Sequence, residues 1–85
     1  MTELVDAVRR LAKFSIRSPA LIVQNPQGGY LVSPDGYGGG LGNRYVISRR
    51  QLAEVMWEHR IAMDGLADPT QAAKLASAVA EYVPR

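Results

Sequence analysis

His59 is the only imidazole in the chain, and the sequence contains no cysteine. Thiol chemistry, disulfides and Cys-ligated metal centres are therefore excluded. A serine nucleophile needs a base within reach, and His59 is the only imidazole that could serve Ser15, Ser18, Ser33, Ser48 or Ser77. No spacing links any of them to it. A zinc site would need further ligands beside His59, and the neighbouring Glu58 falls on another helical face. Glu54 and Glu58 lie one turn apart on a polar face with Gln51, as solvated carboxylates do. These residues point away from an enzyme, and they call for no cofactor and no metal.

Gly36-Tyr37-Gly38-Gly39-Gly40-Leu41-Gly42-Asn43 has five glycines in eight residues. Phosphate-cradling loops use glycine so that backbone N–H groups can approach an anion at a helix start. The spacing fails here. Leu41 and Tyr45 stand where a dinucleotide fingerprint needs its third glycine, and no Gly-Lys-Ser/Thr follows. Tyr and Leu on a glycine-rich backbone suit an adaptable contact loop instead. Tyr37 and Leu41 are its candidate contact residues, and a mobile hairpin connection between the second and third strands is the plain alternative.

Arg44, Arg49 and Arg50 form the second feature. The net charge of +2 divides unevenly: residues 1–16 sum to +1, residues 17–50 to +3 and residues 51–85 to −2. Eight of the ten cations are arginine, the side chain suited to bidentate contact with carboxylate or phosphate. Arg49 and Arg50 open a helix, where a cation opposes the helix dipole at about 0.3–1 kcal/mol each. A folding rule broken without evident compensation suggests a binding role. Trp57 is the third feature. Leu52, Val55, Met56, His59, Ala62 and Met63 make one apolar arc of that helix, and Ala53, Trp57 and Ile61 make another. The second arc is either covered by the last helix or an interface.

The elements that position these residues follow from apolar periodicity. Residues 3–16 predict an amphipathic helix capped by Thr2 and ended at Ser18-Pro19. Residues 20–25 and 30–33 predict a strand pair across Asn25-Pro26-Gln27-Gly28-Gly29. Arg44-Tyr45-Val46-Ile47 predicts a third strand. Ser48 and Gln51 form a capping-box pattern for a helix running to about Met63. Asp68-Pro69-Thr70-Gln71 opens a last helix with apolar positions Ala72, Leu75, Ala76, Val79, Tyr82 and Val83. Ser48-Arg49-Arg50-Gln51-Leu52-Ala53-Glu54 resembles the opening of the first helix in helix-turn-helix domains. The resemblance stops there, because Trp57 occupies the place of the turn glycine.

The expected fold is a single α+β domain over residues 1–85: a small three-stranded antiparallel sheet with one N-terminal and two C-terminal helices, and a flexible glycine-rich loop at 36–43. At 47% apolar and 21% charged residues, the composition is that of a globular protein. No apolar run approaches the ~20 residues of a membrane span, and the acidic N-terminus lacks a signal-peptide pattern. A cytoplasmic protein is expected. The expected function is non-enzymatic docking on a protein with an acidic surface through Tyr37, Leu41, Arg44, Arg49, Arg50 and Trp57. An accessory subunit or a phage-type inhibitor of a host complex fits this description. Nucleic-acid binding through the same arginines is the alternative, and a homodimer through Trp57 and Ile61 is compatible with either.

Overall fold

A computed structural model describes residues 2–38 and 40–84, without the Thr2 side chain. The elements run α1 (Thr2–Ala12), β1 (Leu21–Gln24), β2 (Tyr30–Ser33), β3 (Arg44–Ser48), α2 (Arg49–Glu58), a 3-10 turn at Asp64–Ala67, and α3 (Pro69–Ala80). The α-β-β-β-α-α order and the antiparallel sheet agree with the sequence reading. The Thr2 cap lies outside the described residues. No helix among the described residues is long and apolar enough to cross a membrane.

The sheet order is β2-β1-β3, with β1 antiparallel to both neighbours. Its two faces differ. Ile22, Val46 and Ile47 join Leu4, Val8 and Leu11 of α1, Leu52 and Val55 of α2, and Leu75 and Val79 of α3 in one buried cluster. Burying each large aliphatic side chain contributes about 1.5–3 kcal/mol, so this helix-covered face supplies most of the stabilisation. Val46 and Ile47 both enter the core because the β1–β3 register shifts between Ile22 and Val23. Such a bulge breaks strict alternation.

The glycine-rich segment does not close a hairpin, because β1 lies between β2 and β3. β2 ends opposite Leu21 and β3 begins opposite Gln24. The segment must therefore travel the length of β1, and it does so over the face that the helices leave open. Val23 is buried but lies outside the helix-side cluster. A Cβ placed on Gly38 would sit 3.7 Å from Val23 Cγ1, so the crossing backbone covers this residue.

Three helix ends differ from expectation. α1 stops at Ala12 because Lys13 and Phe14 donate to Arg10 and Leu11 in tightened i→i−3 bonds, and Ile16 turns out to solvent. α2 stops at Glu58 rather than near Met63. The Ile61 N–H donates to Met56 O at 2.9 Å and the Arg60 N–H to Trp57 O at 3.1 Å. Those two bonds define a Schellman stop, with Met56 and Ile61 buried as its apolar pair. The left-handed position, usually glycine, is Arg60 at φ 55°. α3 is capped by the Asp68 carboxylate and has Pro69 in its first turn, as expected. It ends at Ala80, which leaves Tyr82 partly exposed.

Candidate functional site

The crossing loop is braced by bonds to Ser33 of β2 and by a bond across itself. The Ser33 hydroxyl donates to Asp35 Oδ1 at 2.8 Å, and the same oxygen accepts the Tyr37 N–H at 3.0 Å. The Gly38 N–H donates to Ser33 Oγ at 3.2 Å. Beyond Gly39, which lies outside the described residues, Asn43 Nδ2 donates to Gly38 O at 2.9 Å. Two glycines are required by close approach. At Gly36, φ is +80° and a Cβ would lie 2.7 Å from Pro19 O. At Gly42, φ is +83° and a Cβ would lie 2.9 Å from Pro26 Cγ. The glycines thus let the backbone lie flat on the chain segments before and after β1.

This anchored backbone holds two large apolar side chains in solvent. Tyr37 is 87% exposed and Leu41 fully exposed. Exposed Tyr45 shares the open face, and its hydroxyl donates to Gln51 Oε1. Arg44 begins β3 and borders a shallow cleft with Asn25, Pro26 and Gly42. The Tyr37 amide and then the Ser33 hydroxyl hold the Asp35 carboxyl below the ordinary aspartate range. A carboxyl with a depressed folded-state pKa stabilises the fold above its unfolded pKa of about 3.9, and the contribution is lost as pH falls through the lower folded value. Acidification through that window should release the loop end first. The Tyr37 amide resonance followed by NMR should titrate with Asp35 and lose its low-pH inflection in Asp35→Asn.

The three arginines do not form a cluster. Arg44 stands at the far end of β3, roughly 13 Å along the strand from Ser48. Arg50 is exposed in the first turn of α2. Arg49 is inside, at 7% exposure. Its Nε donates to Phe14 O at 2.8 Å, just past the end of α1, and Nη2 lies 3.9 Å from Met63 Sδ. Nη1 is buried with no hydrogen-bond partner among the described residues. Burial pulls its pKa down. The cation that opposes the α2 dipole is therefore turned back onto the carbonyl end of α1, where positive charge is favourable. Arg49 joins the core and leaves the set of accessible contact residues. Arg9, which the sequence does not single out, makes a similar tie: its Nε donates to Leu66 O at 3.0 Å.

The second apolar arc of α2 is split. Ile61 is buried against the core and contributes only the floor of a groove beside Trp57. Trp57 is 85% exposed between two shallow grooves, one bordered by Ile16, Arg50 and Ala53 and the other by Arg60 and Ala62. α3 does not cover it. None of the residues lining these grooves also lines the grooves beside the crossing loop, so Trp57 and the loop form separate surfaces. His59 is exposed at the C-terminal end of α2 rather than near the core. Among the described residues, no group of three or more His, Cys, Asp or Glu side chains could hold a metal ion. No protein-family model, curated protein or solved structure matches the chain.

Proposed function

We propose that this chain is a small non-enzymatic docking module, an accessory subunit or inhibitor, that binds another protein through the crossing loop. One observation carries the reading: Tyr37 and Leu41 stand in solvent on a crossing segment that is braced by its own Asp35–Tyr37 and Gly38–Asn43 bonds and lies against Pro19 and Pro26, on either side of β1. An apolar side chain left in solvent adds nothing to folding, because it is just as solvated in the unfolded chain. A partner surface that buries it gains that apolar area, and the bonds at Asp35, Gly38 and Asn43 reduce the loop entropy lost on binding. Arg44, beside Gly42, adds a steering charge at one end of this surface.

The separation of the arginines favours a protein over nucleic acid. A phosphate backbone is best met by a row of cations, whereas Arg49 is occupied inside and Arg44 and Arg50 stand at opposite ends of β3. Trp57 with Arg50 remains a second candidate contact, on its own surface.

Site-specific photocrosslinking tests the reading. A benzophenone side chain at position 41 is compared with one at exposed position 73 on α3, in lysate of the native host with and without nuclease treatment. Position 41 should yield a discrete protein adduct that position 73 does not. Absence of that adduct, or an adduct that nuclease removes, contradicts protein docking through the loop.

A further inference from the structure

β2 and β3 are both edges of the sheet, and they are not equally protected. β3 carries the register shift and begins with Arg44, two devices that discourage strand addition. β2 is Tyr30-Leu31-Val32-Ser33, without charge, proline or bulge, and its register against β1 is continuous. The Asn25 N–H donates to Gly29 O at 2.9 Å, in line with that register. Antiparallel ladders alternate, so Val23–Leu31 and Leu21–Ser33 are the hydrogen-bonded pairs. The N–H and C=O groups of Tyr30 and Val32 therefore point off the free edge. On the open face beside this edge, a groove bordered by Val23, Leu31, Pro34, Tyr37 and Gly38 runs between β2 and the crossing loop.

Charge decides what can lie there. At one end, the Glu3 carboxylate sits over Gly29, with Oε2 3.3 Å from where a Cβ would be. At the other end stands exposed Asp35, whose Oδ1 is occupied by Ser33 and Tyr37. The edge is bracketed by acids about 13 Å or more apart, the span of four strand residues. A second copy paired about Leu31 would set Glu3 of each copy towards Asp35 of the other, and like charges oppose that pairing.

We infer that β2 accepts an extended segment of a different protein as a fourth strand. That segment is apolar in its middle and carries basic residues about four positions apart. Main-chain bonds to Tyr30 and Val32 supply the pairing, and Glu3 and Asp35 select the flanks. This inference rests on the loop reading, because Tyr37 borders the groove that side chains of the added strand would enter.

The test uses the full ¹⁵N-labelled chain and the capped peptide Thr-Lys-Val-Thr-Val-Lys-Thr, with its lysines four positions apart, and with glutamates replacing both lysines in the control. The basic peptide should bind below about 1 mM and slow amide exchange at Tyr30 and Val32. The acidic control should bind about tenfold more weakly, as should the basic peptide to Glu3→Lys. No binding, equal binding of the two peptides, or binding that leaves Tyr30 and Val32 unchanged overturns the inference. So does a dimer in sedimentation with those amides protected in the absence of peptide. The crosslink from position 41 reads the loop alone, so a failed peptide experiment leaves the docking reading to its own test.

Discussion

Replacing Arg49 with alanine is expected to remove about 2–4 kcal/mol of stability, although the position looks like an exposed first-turn cation in the sequence. Three losses add. The buried stem leaves a cavity. The charge-assisted bond to Phe14 O, at 2.8 Å, disappears and that carbonyl loses its donor. The contact with Met63 beyond α2 is also lost. One gain opposes them, since the desolvated cation and its unpaired Nη1 are removed. A domain of this size has on the order of 4–13 kcal/mol in total. The melting temperature should therefore fall by on the order of 10–30 °C. Arg49→Met keeps most of the stem and deletes the charge, so it should recover at least half of the loss. Arg50→Ala, one residue on but exposed, should change stability by no more than about 0.5 kcal/mol. Thermal and urea unfolding of the three variants would check the ranking. Equal, small effects at 49 and 50 would place the Arg49 side chain outside.

Much of the fold was legible because its signals are local. The Ser48–Gln51 capping box, the Asp68 cap followed by Pro69, and the branched residues of Leu21-Ile22-Val23 each specify an element within a few residues. The misplaced ends had non-local or unusual causes. The turn that follows α1 is held at Phe14 O by a side chain 35 residues away. The stop of α2 places Arg60 where the sequence rule looks for glycine, so the apolar period continues to Met63 without a stop signal. The course of the glycine-rich segment depends on strand order, and proximity in sequence suggested the hairpin that β1 prevents.

The candidate site was legible in part for the same reason. Tyr37, Leu41 and Trp57 stand out by residue type, and the structure leaves all three exposed. Arg44, Arg49 and Arg50 are close in number, yet a strand of more than three residues separates Arg44 from the other two, and Arg49 faces inward. Helical periodicity put Ile61 with Trp57, but the chain has left the helix by residue 61, and the Schellman contact draws it in. The open edge of β2 and its two carboxylates had no sequence signature, because Glu3 and Asp35 meet the same strand only through the fold.

The loop variant Tyr37→Ala/Leu41→Ala separates docking from folding. Both side chains are nearly or wholly in solvent, and the anchoring bonds use the Tyr37 N–H, the Gly38 peptide and Asn43, which the substitutions keep. Stability should stay within about 0.5 kcal/mol of wild type. Binding should not. Aromatic and aliphatic anchors at the centre of an interface contribute about 2 kcal/mol or more, so affinity should fall by at least ~30-fold. The most direct measurement is calorimetric titration of the protein crosslinked from position 41 into wild type and into this variant, with unfolding curves recorded on the same samples. Docking through the loop predicts unchanged unfolding and at least a ~30-fold weaker complex. Equal affinity for both chains would contradict it and move the contact surface elsewhere, with Trp57 the next residue to change.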